Sequence, residues 1–123
     1  MRPLSILYVE DNDHLREAIG MLMEGDGREI VVCATGEDAV VLDAQKKFDV
    51  VITDVSLPGM SGTDLARKLL QDDMARWIVL CSGYDFSQST ERLGPKVRSL
   101  RKPFELEDLD ALLAEISADV APG

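Results

Sequence analysis

The sequence lacks long apolar runs, blocks of basic residues, and any pairing of cysteines or histidines suited to metal. No stretch approaches the ~18 apolar residues that cross a bilayer, and the first strand-like run begins almost at Met1, which leaves no room for a signal peptide. A cytoplasmic location and no membrane partner are therefore expected. Lys and Arg number 13 against 23 Asp and Glu, a formal net charge of −10. Without a basic cluster the chain has no footprint for neutralising phosphates, so no nucleic-acid partner is expected. The surplus acid reads first as a solvated surface. Cys33 and Cys81 sit in separate apolar runs with no C-x-x-C, and His14 is the single histidine. Zinc and thiol redox chemistry are thus set aside.

What is present fits one globular domain. The chain has 123 residues, 46% hydrophobic and 29% charged, enough to bury a single core without disulfides or structural metal. Apolar strand-like runs alternate with amphipathic segments. Leu15, Ala18, Ile19, Leu22 and Met23 repeat as one helix face, stopped by Gly25 and Gly27. Ile30 to Ala34 reads as a buried strand; Thr35 caps a second helix, with Asp38 three residues on, ending near Lys46-Lys47. A third strand from Phe48 to Asp54 precedes a Pro58-Gly59 turn and a helix from Thr63 to Gln71 with Leu65, Leu69 and Leu70 inward. Trp77 to Cys81 is a fourth strand. Phe86 to Leu93 supplies a short, poorly anchored helix. After a fifth strand, a last helix from Glu105 to Ser117 buries Leu106, Leu109, Leu113 and Ile116.

Five strands alternating with helices predict a three-layer α/β fold with a parallel sheet. The flavodoxin-like order 2-1-3-4-5 places strands one and three side by side at the switch point. Cys33 and Cys81 then lie three strand spacings apart, roughly 14 Å, too far for a disulfide. Three strands end at charge: Ile6 to Val9 at Glu10-Asp11, Val50 to Thr53 at Asp54, and Val97 to Leu100 at Lys102-Pro103. In such sheets the ligand crevice lies beyond the carboxyl ends of the strands. Three carboxylates and an ammonium at one edge suit a divalent cation and a phosphoryl group. In isolation each residue has a plainer reading: the acidic pair as helix N-terminal charge, Asp54 as a turn residue, Ser82 as a cap, Lys102 as a solvated edge residue. Their joint placement on four strand ends outweighs those readings.

The chain resembles the receiver domain of two-component response regulators from Leu4 to Ile116. The resemblance is carried by Glu10-Asp11, by Asp54 with the D-x-x-x-P-G-x-x-G loop through Gly62, by Ser82-Gly83, and by Lys102-Pro103-Phe104. A receiver domain over residues 1–117 is expected, with 118–123 as a flexible tail or the start of a linker. The resemblance implies that Asp54 accepts a phosphoryl group from a phosphohistidine on a sensor histidine kinase or histidine phosphotransfer protein. Signalling then passes to a downstream protein or to a domain in the same chain. Such a domain is not a conventional enzyme, though it catalyses its own phosphorylation and dephosphorylation.

The implied cofactor is Mg²⁺ or Mn²⁺, held by Asp11, Asp54 and the Ser56 backbone carbonyl, with Glu10 acting directly or through water. Lys102 would pair with the phosphoryl oxygens and the Ser82 hydroxyl would bond one of them after transfer. Gly83, lacking a side chain, would leave the approach open to a donor imidazole. Ser56 and Tyr84, two residues beyond Asp54 and Ser82, would flank the attacking water and set phosphoryl lifetime. One departure stands out: three residues before the lysine, where receivers usually carry a switching aromatic, this chain has Ser99. Signalling by ordering of Tyr84 to Leu93 would replace the ring.

Other functions fit less well. A nucleotide or flavin binder would present a Gly- or Ser/Thr-rich loop after strand one, where this chain has two acids. An Asp-nucleophile phosphatase would show D-x-D and a cap domain, but Asp54-Val55-Ser56 lacks the second acid. The main rival is a pseudo-receiver, a protein-binding module that works without phosphorylation.

Overall fold

The fold is taken from a computed structural model, which describes residues 3–25, 27–83 and 93–120. Five strands, β1 (Leu4–Val9), β2 (Arg28–Cys33), β3 (Val50–Asp54), β4 (Trp77–Ser82) and β5 (Val97–Arg101), form one sheet of order β2-β1-β3-β4-β5. Every pairing is parallel. The described helices are α1 (Asp13–Met23), α2 (Gly36–Gln45), α3 (Gly62–Asp72) and α4 (Leu106–Val120). The expected helix at Phe86 to Leu93 lies almost wholly outside the described residues.

Strand alternation divides the core in two. Ile6, Tyr8, Ile52, Val79, Cys81 and Leu100 face Met23 of α1 and Leu109, Leu113 and Ile116 of α4. Leu7, Val9, Val51, Ile78 and Leu80 face Ala39 of α2 and Leu65, Ala66, Leu69 and Leu70 of α3. Both sheet faces are thus covered, which explains why β1, β3 and β4 are nearly continuous apolar runs. Cys33 and Cys81 are free thiols, as the strand order requires.

Several local expectations are corrected. Ala18 is exposed and Leu22 is 50% exposed, while Gly20 is buried. A Cβ on Gly20 would lie 3.2 Å from Val32 Cγ1, so the missing side chain lets α1 lie close on β2 and turns the helix face. The second strand is half-exposed rather than buried because it is the sheet edge, with β1 its one neighbour. It ends at Cys33, and β3 starts at Val50, not Phe48. Leu106 is exposed at the start of α4.

The last helix also runs to Val120, past the expected end at Ser117. Asp119 explains the extension. Its carboxylate accepts from Trp77 Nε1 at 2.8 Å and from Lys96 Nζ at 2.7 Å, so the final turn is tied to the sheet. These bonds hold the Asp119 carboxyl below its usual range.

Candidate functional site

The carboxyl ends of the strands position the site. The β1 ladder ends with the Glu10 N–H donating to the Cys33 carbonyl at 3.1 Å. Asn12 then caps α1, its side chain accepting from the Leu15 N–H at 2.9 Å. Asn12 also donates its own N–H to Glu10 Oε2 at 3.2 Å, and Arg16 Nη1 donates to the Glu10 carbonyl at 2.9 Å. The acidic turn is thereby fixed from both sides. Glu10 is 1% exposed, an unusual burial for a carboxylate that demands a partner.

The partner is Lys102. Its Nζ lies 3.0 Å from Glu10 Oε1 and 3.2 Å from Asp54 Oδ1. The lysine is delivered by β5, where its N–H donates to the Ser82 carbonyl at 2.7 Å. Burial by itself would lower the Lys102 pKa, but the hydrogen bond that its ammonium donates to Glu10 and the charges of Asp54 and Glu10 outweigh it and raise it above the ordinary value. The Tyr8 hydroxyl beneath is pushed up by burial first, then by the charges of Glu10, Cys81 and Asp54.

Asp54 ends β3, its neighbour Thr53 fully buried and donating its hydroxyl to the Asp54 carbonyl at 3.0 Å. The loop that follows turns back tightly. A Cβ on Gly62 would fall on the Asp54 carbonyl oxygen and 2.9 Å from Val55 Cα, so this position excludes any side chain. Glu10, Asp11 and Asp54 each offer a carboxylate oxygen, and these oxygens lie within 4.8 Å of one another. One ammonium contacts two of these three carboxylates, leaving negative charge to be matched. Closely spaced hard oxygen donors fit a small divalent cation such as Mg²⁺.

Four of the expected residues, Glu10, Asp11, Asp54 and Lys102, are therefore gathered in one place. Ser82 ends β4, the strand paired to β3, and is buried. Gly83 is exposed, and a Cβ there would meet nothing within 4 Å. Ser56 is exposed on the β3–α3 loop. Ser99 is half-buried on β5, paired with Leu80. Tyr84 lies outside the described residues. The sequence reading passed over Asn12 and Arg16, which brace Glu10; an Asn before a helix-patterned run was the available signal for the first.

The family model for the response regulator receiver domain matches residues 6–114. The chain belongs to this family. The receiver domain is 31% identical over 125 residues to the transcriptional activator protein PfeR of Pseudomonas aeruginosa, covering 95% of this chain and 40% of that protein. It is 30% identical over 106 residues to a cyclic di-GMP phosphodiesterase of Thermotoga maritima, covering 85% of this chain and 28% of that one. The chain thus spans less than half the length of these curated relatives.

Among solved structures, a putative response regulator from Chloroflexus aurantiacus is 28% identical with a TM-score of 0.83, covering 95% of this chain and 99% of that one. The response regulator TrrA of Thermotoga maritima, solved in complex with Mg²⁺-BeF, is 24% identical with a TM-score of 0.80, covering 94% and 99%. This last likeness speaks for the fold, the flavodoxin-like arrangement of the chemotaxis receivers. Among the described residues no helix is long and apolar enough to cross a membrane.

Proposed function

We propose that this receiver domain is a phosphoacceptor: Asp54 takes a phosphoryl group from a phosphohistidine of a sensor histidine kinase or histidine phosphotransfer protein. The observation that carries this reading is the direct contact of Lys102 Nζ with Asp54 Oδ1 at 3.2 Å, beside two further carboxylates. A protein-binding module that worked without phosphorylation would need Lys102 only as the counter-ion of buried Glu10, not in contact with Asp54 as well.

The chemistry follows from the residues. An Asp54 carboxylate oxygen attacks phosphorus, the P–N bond to the donor imidazole breaks, and the imidazole leaves with the electron pair. A carboxylate is a poor nucleophile toward an anionic phosphoryl group unless charge is neutralised and the reactants are held in line. Lys102 serves the first need, pairing as a mobile point charge with the transferred oxygens. Asp11, Asp54 and the Ser56 carbonyl would hold Mg²⁺ or Mn²⁺, with Glu10, which also holds Lys102, acting directly or through water. A bound cation would supply charge neutralisation at the phosphoryl oxygens.

Ser82 would donate its hydroxyl to a transferred oxygen, and Gly83, having no side chain, would leave the approach open to a bulky donor. Ser56 and Tyr84 would flank the water that hydrolyses the acyl phosphate. With Ser99 in place of the usual aromatic, the signal would pass through Tyr84 to Leu93. The setting is taken to be cytoplasmic, with a downstream protein or attached domain as receiver of the signal. Calorimetric titration with Mg²⁺ tests the reading: the chain should bind one ion, and Asp11→Ala should abolish the binding. Absence of binding to the unaltered chain would count against it.

A further inference from the structure

We propose that Glu37 is a positioning residue for the cation site, acting through the loop that carries Ser56. The inference rests on the phosphoacceptor reading and deepens it.

Glu37 stands in the first turn of α2, a helix whose N-terminus is fixed by Thr35 accepting from the Asp38 N–H at 3.0 Å. From there its Oε2 reaches across to the β3–α3 loop and accepts from the Met60 N–H at 3.4 Å. The loop is shaped to receive it. Gly59 has φ +73°, and a Cβ there would lie 2.7 Å from Glu37 Oε2. The positive φ is one that residues with a side chain rarely adopt, and the missing Cβ leaves the carboxylate room where it stands. Next to it, Gly36 lies against Met60, where a Cβ would be 3.3 Å from the methionine's Cβ and Cγ.

The loop's other fixings are close to its root: the Val55 N–H donates to the Cys81 carbonyl and the Gly62 N–H to the Val55 carbonyl, both at 2.9 Å. Ser56 lies between that root and the Glu37 clasp. Among the described residues, no other side chain hydrogen-bonds the backbone of 56–60. The same stretch of chain also supports the opposite wall of the pocket, since the Cys33 carbonyl, three residues before Gly36, receives the Glu10 N–H at 3.1 Å. The turn from β2 into α2 therefore braces both the acidic turn and the loop facing it. Groups that orient ligands from outside the coordination sphere commonly control metal affinity.

Three substitutions in the full chain separate position from charge. Glu37→Gln keeps an acceptor oxygen at the same reach and removes the charge; Glu37→Asp keeps the charge and withdraws the oxygen by one methylene; Glu37→Ala removes both. In Mg²⁺ titration by calorimetry, Gln should stay within about twofold of the unaltered chain, while Asp and Ala weaken binding about tenfold. Amide hydrogen exchange without cation should show faster exchange at Met60 in Asp and Ala and not in Gln. Equal weakening by Gln and Ala with Asp unaffected would mean that Glu37 acts by its field alone, and unchanged affinity in Asp and Ala would equally overturn the proposal. If the unaltered chain takes up no Mg²⁺, the phosphoacceptor reading fails first, a result distinct from either.

Discussion

Lys102 Nζ lies 3.0 Å from Oε1 of Glu10, a carboxylate with 2% of its side chain exposed, while a quarter of the lysine side chain remains open to solvent. Glu10 thus has a buried charge with one mobile partner, and that partner also contacts Asp54. Lysine and a bound cation would compete for the same oxygens. Lys102→Ala should therefore bind Mg²⁺ more tightly, by about tenfold or less, while losing phosphorylation. Without cation the variant should also be less stable, by about 1–3 kcal/mol, because buried Glu10 keeps the Asn12 N–H but loses its counter-charge. Calorimetry and denaturant unfolding with and without Mg²⁺ check both directions.

Gly62 is the tightest point of the site's scaffold. Gly62→Ala would force the Asp54 carbonyl and Val55 aside. A loss of about 2 kcal/mol in unfolding free energy is expected from such overpacking, together with reduced phosphorylation. A variant with unchanged stability would mean that the loop yields freely.

At the opposite end of the sheet, Arg76 and Asp43 form a buried bidentate pair at 3.0 and 2.8 Å, with side chains 4% and 10% exposed. Arg76 also donates to the Phe48 carbonyl at 3.2 Å, and Asp43 accepts from the Phe48 N–H at 3.1 Å. Arg76→Ala should cost about 3 kcal/mol. Because the two residues share one network, the double replacement with Asp43→Ala should cost less than the sum of the single ones. A double-mutant cycle by urea unfolding measures this.

Burial pushes the Cys81 thiol up to about 12 and the Cys33 thiol up to about 11. At pH 8 both are protonated and shielded, so neither should react with a thiol-specific disulfide reagent until denaturant is added. Rapid reaction of the native protein would contradict the packing of β2 and β4.

The convergence of Asp11, Asp54 and Lys102 was legible in the sequence because each follows an apolar run, and parallel strands deliver their carboxyl ends to one edge. The exposure of β2 was not, since its apolar part, Ile30 to Cys33, reads like a central strand and differs in having one neighbour. Gly20 carries no hydropathy signal, so the inward face of α1 could not be placed from periodicity alone. The last turn of α4 depends on Asp119 meeting Trp77 and Lys96, a tertiary contact that leaves no local trace. Glu10 was read as a ligand or a water-mediated one. Asn12 and Arg16 brace it locally, but the Lys102 that it is buried against lies 92 residues on and only the fold brings it there.

Trp77 opens β4 and Ser82 closes it, so the tryptophan is roughly 16 Å from the site at about 3.3 Å per residue. Its emission is a poor reporter of the chemistry, and covalent mass is a direct one. Incubation of the full chain with acetyl phosphate and Mg²⁺, followed by intact mass measurement, should give a gain of one phosphoryl group that needs the cation and vanishes in Asp54→Asn. No gain with Mg²⁺ present, or a gain that persists in Asp54→Asn, would contradict the assignment of Asp54 as the phosphoacceptor.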